Sequence, residues 1–563
     1  MVNVKNLFGM AVMATALVGC SSSDDLTPNG NEGNQTGAAY ASFRINLPTT
    51  SGTRADDPTP GTPSFDEGTA KEYEVKNGTI LIFDKDGKYV TSAQLGTMNP
   101  WTPVKTDGVT TAAITTVQLS GVKVGGNYQA LVLLNNDVDA TTSKVTLPAT
   151  GTPYATWSAK ASNVNAEKYA STDGIFMANA PMYTGTTTEP TTLVPIANVC
   201  ASREEAQAKV ATTVYVERGL AKVTMQNFTD GGYTVAEGTY KNDKVEIKNW
   251  QLDVTNKSTF PVHQTGDLST GFTAIWSTPR FYDGGNQSFK RVYWGVDPNY
   301  SGATLQNLEA CKKAFTMIGK NDIKGKTGND HPQYCLENTF DLSNMMQGQT
   351  TRVVFKAVYT PKALEGTTEK TFYKIGNNTA IWKEADLKQQ IKTVALNAMK
   401  ITDAAEQAKY VVKLDATENN ISGAAGQHLI KAENITYTGD AADDKVSPTV
   451  VNTINEKLGL SEAAGIATYL DGVTYYIARI KHFNELTPWT AGEGYGTKND
   501  KYLGRYGVLR NNWYDLSVTS ISGLGYPEVP EVKPNVPDDE NDKYINVEVK
   551  ILDWAKRSQS IDL

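Results

Sequence analysis

Apolar side chains in this sequence recur at every second position, in short runs broken by Gly, Pro, Asn and Asp. That period puts alternate residues on opposite faces of an extended chain and gives each run one core face. The first run is Tyr40-Ala41-Ser42-Phe43-Arg44-Ile45-Asn46-Leu47. Ala41, Phe43, Ile45 and Leu47 fall on one side; Ser42, Arg44 and Asn46 fall on the other. Ile80-Leu81-Ile82-Phe83, the turn Asp84-Lys85-Asp86-Gly87 and Tyr89-Val90-Thr91 read as a hairpin with its turn chemistry in place. Val117-Gln118-Leu119 and the apolar run 128–134 supply further strands, and 148–178 reads as irregular with short helices. Strand patterns return at 214–225, 245–255, 351–359, 474–480 and 514–518. Helical spacing is confined to short pieces at 202–209, 305–315 and 384–398, which read as insertions on a β framework. The 27 Tyr and 47 Gly, with abundant Thr and Val, fit the same reading. The predicted fold class is all-β: sandwich domains with short helical insertions.

With 563 residues the chain is too long for one core, and two domains are expected. The first sandwich is placed at 55–212 and the second at 213–526, opening at Val214-Tyr215-Val216-Glu217-Arg218. The net charge of −8 comes with no basic stripe interleaved with aromatics, which argues against nucleic acid as a partner.

The N-terminus fixes the expected compartment. Lys5 precedes an apolar run, 7–18, far too short to span a bilayer, which ends in Leu17-Val18-Gly19-Cys20. A small residue followed by Cys is a lipobox, so residues 1–20 read as a lipoprotein signal with Cys20 as the lipidated residue. Residues 21–54 then hold a polar tether, beginning Ser21-Ser22-Ser23-Asp24-Asp25, and the first strand. Cys200, Cys311 and Cys335 remain, an odd number that cannot form a complete disulfide framework. Whether Cys311 and Cys335 pair is left open.

The two ends of the chain share a pattern. After the first strand comes a loop, 48–63, whose one basic residue is Arg54, followed by Ala55. At the other end, Pro527 to Pro537 reads as a stiff linker holding the last segment, 527–563, away from its domain. There Ile545, Val547, Val549 and Ile551 alternate with polar residues, and Trp554 extends the apolar content. Two readings follow. The terminal strand completes its own sheet, as in many exported β-proteins. Alternatively, a cut between Arg54 and Ala55 removes the first strand, and the terminal strand of another copy fills the groove.

Several features together resemble the major shaft subunit, fimbrillin, of the short fimbriae of Bacteroidales, the type V pilus class. They are the lipobox at Cys20, Arg54 before Ala55, Val216-Glu217-Arg218 with Ala221-Lys222, and Trp250 followed by Asn256-Lys257. Arg510-Asn511-Asn512-Trp513-Tyr514 with Ile521 and Leu524-Gly525, Val547-Glu548-Val549 with Trp554, and the closing Asp562-Leu563 complete the set. The resemblance implies two transthyretin-like β-sandwich domains, outer-membrane export as a lipoprotein, and maturation by an Arg-specific protease. It also implies polymerisation head-to-tail with identical subunits, and tip and anchor subunits at the filament ends. In it Ala41, Phe43, Ile45 and Leu47 belong to the removable strand, and Ile545, Val547, Val549, Ile551 and Trp554 to the donor strand. Residues 300–480 depart from the pattern, so no lateral binding surface carries over.

Sites of chemistry are weakly supported. Gly319 to Thr327 imitates a phosphate loop but has five residues between its glycines where four are needed. His263, His331, His428 and His482 show no metal-ligand spacing. Asp84-Lys85-Asp86-Gly87 lacks the downstream acids of a calcium loop. No nucleophile elbow occurs, and no catalytic residue, metal or cofactor is expected. The competing function is a surface glycan-binding lipoprotein using exposed aromatic platforms, which would have no use for removal of the first strand.

Overall fold

The computed structural model describes residues 38–48, 68–96, 102–103, 109–137, 143–171, 174–183, 190–266, 290–292, 294–300, 305–339, 344–414, 420–421, 424–425, 427–439, 446–461, 464–482, 503–538 and 545–553. They are mostly strand, with few and short helices. The all-β expectation is met.

The N-terminal sandwich is built from β1 (Ala39–Pro48), β2 (Gly78–Asp84), β3 (Tyr89–Gln94), β4 (Val109–Leu119), β5 (Tyr128–Leu134), β6 (Met177–Asn179) and β7 (Thr212–Arg218). The hairpin β2–β3 closes as read: the Asp84 carboxylate accepts from the amides of Asp86 and Lys88, both at 2.9 Å, and Gly87 takes a positive φ. One sheet runs β4-β1-β7 and the other β7-β6-β5-β2-β3. Strand β7 serves both. Thr212–Tyr215 pair with β1, and Val216–Arg218 pair with β6.

Between the sheets pack Phe43 and Ile45, Ile80 and Ile82, Val117 and Leu119, Val132 and Leu134, and Val214 and Val216. The outer face of the second sheet is covered too: Leu81, Phe83, Leu131 and Leu133 meet Trp157, Tyr169 and Phe176. Trp157 and Tyr169 come from the short helices Tyr154–Ser158 and Ala166–Tyr169. Burial on both faces is why these strands are apolar throughout rather than alternating.

The second sandwich has β8 (Ala221–Met225), β9 (Lys244–Asp253), β10 (Gln333–Cys335), β11 (Arg352–Thr360), β12 (Phe372–Ile375), β13 (Ile466–Tyr469), β14 (Val473–Arg479), β15 (Asn512–Ile521) and β16 (Ile545–Asp553). Its sheets run β10-β8-β15-β16 and β9-β11-β14. Val223, Met225, Trp250, Phe355, Tyr476, Tyr514 and Leu516 fill the space between. Each sandwich repeats one device: its first strand lies parallel beside a strand from near its end, β1 on β7 and β8 on β15.

Between β11 and β14 the chain makes an inserted module. Strands β12 and β13 form its antiparallel neck, where the Gly376 amide meets the Gly465 carbonyl at 2.8 Å. Beyond the neck lie helices Glu384–Met399 and Pro448–Lys457 and a core of its own, including Leu387, Ile391, Tyr410, Ile430 and Ile454. No helix among the described residues is long and apolar enough to cross a membrane.

Two elements sit differently from the sequence reading. Val214–Arg218 close the first sandwich instead of opening the second, because β7 supplies ladders to β1 and β6; the chain crosses over at Gly219-Leu220. The proline-rich stretch 527–537 is not a free linker but lies against its own domain. Val532 is buried, Arg352 donates to the Pro530 carbonyl at 2.7 Å, and the Gln347 amide donates to the Val536 carbonyl at 2.9 Å. Proline removes a donor but leaves its carbonyl, so an extended proline-rich segment still offers acceptors to a buried guanidinium.

Candidate functional site

Strand β1 is an interior strand, held antiparallel by β4 from Ala39↔Leu119 onward and parallel by β7 from Phe43↔Thr212 to Asn46↔Tyr215. Ala41, Phe43 and Ile45 have 0% exposure. Leu47 continues the strand opposite Thr111. The other face, read as polar and outward, is open only at Arg44; Ser42 and Asn46 are buried. Over Ser42 the cause is the short helix Arg203–Ala208, capped by Ser202, whose Oγ accepts from the Glu205 amide at 3.1 Å, whereas the Asn46 side chain meets that of Tyr215 on β7. Ser42 Oγ donates to the Ala206 carbonyl at 2.8 Å, and the Arg203 guanidinium stands 5.7 Å from the Tyr40 ring centre. Taking β1 away would leave a groove between β4 and β7, walled by Val117, Leu119, Val214 and Val216 and floored by Ile80, Ile82 and Val132.

Strand β16 is seated less firmly. Among the described residues it pairs antiparallel with β15 alone, from Asn512↔Asp553 to Ile521↔Ile545, and ends its sheet. The register sets Ile551, Val549, Val547 and Ile545 opposite Tyr514, Leu516, Val518 and Ile521. The terminal strand therefore lies on its own sheet here, and the docked 527–538 segment leads it there. Cys20, Arg54, Ala55 and Trp554 lie outside the described residues.

A second cluster joins the two sandwiches. Glu72, from the helix turn Ala70–Tyr73, is buried with Lys222 at 2.7 Å and accepts from the Tyr334 hydroxyl at 2.6 Å and the Thr69 amide at 2.7 Å. Arg218 Nε donates to the Glu72 carbonyl at 2.9 Å, and the Lys222 ammonium lies 3.6 Å from the Trp513 ring centre. Alongside are the buried pairs Glu217–His263, 2.7 Å, and Glu337–Arg510, whose Nε contact is 2.8 Å. Burial pushes the Glu72 carboxyl up. The Lys222 charge, with hydrogen bonds from Lys222, Tyr334 and the Thr69 amide, outweighs that and holds it below the usual carboxylate range. The sequence motifs at 216–218, 221–222 and 510–514 thus meet at one junction. Glu72 carries no pattern that sequence reasoning could have used.

The phosphate-loop imitation is structural. The Gly325 amide donates to the Trp250 carbonyl at 2.8 Å, and Trp250 Nε1 donates to the Lys326 carbonyl at 2.8 Å. A Cβ at Gly325 would stand 2.3 Å from that Trp250 oxygen, so the backbone closeness requires glycine. Cys200, Cys311 and Cys335 are buried free thiols, and burial pushes Cys335 up to about 12.

Residues 467–560 match the family model for the C-terminal region of fimbrillin, the type IV major fimbrial subunit protein. The match runs from β13 through β16. No curated protein matches the chain in sequence. Among solved structures, a candidate cell adhesion protein from Parabacteroides distasonis is 10% identical, with 92% of this chain and 98% of that one covered and a TM-score of 0.38. The tip fimbrial protein Mfa3 from Porphyromonas gingivalis is 10% identical, with 92% and 100% covered and a TM-score of 0.29. Neither superposition is close enough for the other protein's properties to bear on this chain.

Proposed function

We propose that this chain, whose residues 467–560 match the model of the fimbrillin C-terminal region, is a shaft subunit of a surface fimbria that polymerises by strand exchange and supports adhesion. The observation that carries the reading is the unequal seating of the two terminal strands. β1 sits between two ladders and β16 on one. A cut between Arg54 and Ala55 would disconnect β1, and its departure would open a groove with two unpaired edges. The β16 of a second copy, nine residues long against ten in β1, would trade one ladder for two on entering it.

Each added ladder bond contributes about 0.5–1.5 kcal/mol, and each aliphatic side chain buried roughly 1.5–3 kcal/mol. Ordering the incoming segment offsets part of this. The contact is head-to-tail and does not close on itself, so identical subunits give a filament. In this reading Cys20 carries the lipid that tethers the precursor to the outer membrane, and an Arg-specific protease releases it for assembly. Tip and anchor subunits then occupy the filament ends. The rival reading, capture of glycans on aromatic platforms, finds little support: the exposed large apolar side chains of the described residues are Ile114, Val124, Val210, Val411 and Leu470.

The test is treatment of the chain from Gly37 onward with an Arg-specific protease, following the new N-terminus and particle size together. A start at Ala55 with growth into heat-resistant ladders, abolished by truncation after Pro537, is expected. Clean cleavage without polymers, or polymers indifferent to the truncation, would overturn strand exchange.

A further inference from the structure

The strand to be removed and the strand to be donated carry the same order of side chains. Tyr40-Ala41-Ser42-Phe43-Arg44-Ile45-Asn46-Leu47 and Tyr544-Ile545-Asn546-Val547-Glu548-Val549-Lys550-Ile551 align without a gap. Each opens on tyrosine, alternates apolar residues from the second position on, and has a small polar residue third and a charged one fifth. Strand β1 shows what those positions meet. Ala41, Phe43 and Ile45 are fully buried, and Arg44 is exposed. The third position is closed by helix 203–208: Ser42 Oγ, which donates to the Ala206 carbonyl, also meets Thr116 Oγ1 at 2.8 Å. At the first position Tyr40 and Cys200 exchange backbone hydrogen bonds at 2.9 and 2.8 Å. The Tyr40 ring faces Arg203, whose guanidinium also donates to the Thr116 carbonyl at 2.8 Å.

Removing β1 takes a partner each from Arg203, Ala206 and Thr116, and the donor sequence carries a replacement for every one. Tyr544 restores an aromatic face to Arg203. Asn546 has both a donor and an acceptor, so its side chain can serve the Ala206 carbonyl and the Thr116 hydroxyl as Ser42 does. In the groove, Ile545 is larger than Ala41 and Val547 smaller than Phe43, so neighbouring changes offset each other in volume. Other placements fail on chemistry. With Ile545 at the place of Ala39, Glu548 arrives at that of Ser42, where a carboxylate has no proton to give the Ala206 carbonyl. With Ile545 at the place of Phe43, Lys543 arrives at the buried position of Ala41, a charge without a partner. Reversing the strand about Glu548 brings Lys550 to the position of Ser42, beside the Arg203 cation.

We propose that Arg203 and the Ala206 carbonyl form a recognition site for Tyr544 and Asn546 of a second copy. The site seats the donor strand in the direction of β1, parallel to β7 and antiparallel to β4, with Tyr544 at the place of Tyr40 and Glu548 at that of Arg44. It rests on strand exchange and supplies what alternation alone does not, because a slip of two residues keeps the same face toward the core.

The experiment builds cysteine pairs into the chain from Gly37 onward, cuts it with an Arg-specific protease and oxidises the ladders. Ile114 stands opposite Arg44 and is 59% exposed; Gln118 stands opposite Tyr40 and is exposed too. Ile114→Cys with Glu548→Cys, and Gln118→Cys with Tyr544→Cys, should each give ladders that survive strong denaturant and collapse on reduction. Uncut chain, and cut chain with one replacement of a pair, should not. Covalent ladders from Ile114→Cys with Asn546→Cys or Lys550→Cys, or from Gln118→Cys with Leu552→Cys, would mean a slipped or reversed donor. That result overturns the site and leaves strand exchange standing. Absence of ladders from the unaltered cut chain overturns strand exchange, and the site with it. A second readout bears on the recognition residues. Tyr544→Ala and Arg203→Ala should each slow ladder growth about two- to fivefold, and their combination no further. Tyr544→Phe, which keeps the ring, should grow as the unaltered chain does. Growth of Tyr544→Ala at the unaltered rate would overturn recognition by Arg203.

Discussion

Glu72 stands a few residues past the loop that carries Arg54, yet its carboxylate is sealed between two sandwiches with Lys222, 150 positions away. A carboxyl held below its ordinary value of 4.5 when folded stabilises the fold fully above that value. The contribution is lost as pH falls through the lower folded value. Breaking a buried pair by removing one partner costs about 3–5 kcal/mol, because the other charge stays behind unpaired. Glu72→Gln should therefore lower stability at pH 7 by about that amount and flatten the acid limb of the curve below pH ~4.5. Urea denaturation at a series of pH values checks both, and an acid limb as steep as that of the unaltered chain would remove Glu72 from the account. The sequence displayed Lys222 and Arg218 as a pattern without a purpose. Nothing local in Ala70–Tyr73 marks Glu72 as their partner, since the contact exists only once both sandwiches have closed.

At the scale of single elements, what could be read depended on whether a strand's environment is periodic. The alternation of Ala41, Phe43 and Ile45 is written by one core face, and these residues are buried as that pattern requires. Ser42 misleads because a six-residue helix from far along the chain covers it, and Asn46 because its side chain meets that of Tyr215. The 527–537 segment misleads for another reason: proline spacing reports stiffness, and stiffness says nothing about what the carbonyls bond to. The unequal seating of β1 and β16 has a measurable consequence before any cut. Amides of 545–553, held by one ladder, should exchange with deuterium well before those of 43–46, held by two. Phe43→Ala gives the complementary result. In the uncut chain it should cost about 3–5 kcal/mol as a core cavity; in the assembled polymer, from which β1 has gone, it should leave heat resistance untouched. A polymer weakened by Phe43→Ala would mean that β1 is still in place.

Seen whole, the molecule is two sandwiches, each with its opening strand parallel to a much later one, and a separately cored module standing on a narrow neck. The helix at 384–399 was legible as an insertion from its spacing, but its enclosure in a module was not. The neck is made by glycines whose closeness, Gly376 amide to Gly465 carbonyl at 2.8 Å, leaves no hydrophobic signature. That geometry makes excision possible. Replacing residues 377–464 by a two-residue turn would join strand ends that already pair at Ile375↔Ile466. The main sandwich core of Val223, Trp250, Phe355 and Tyr476 draws on neither helix of the module, so it should survive the deletion. The shortened chain should fold, be cut at Arg54 and assemble into ladders as the full chain does. Thermal melting and gel ladders on the same preparation check the two expectations separately. A folded product that forms no ladders would show that the module is part of the assembling scaffold.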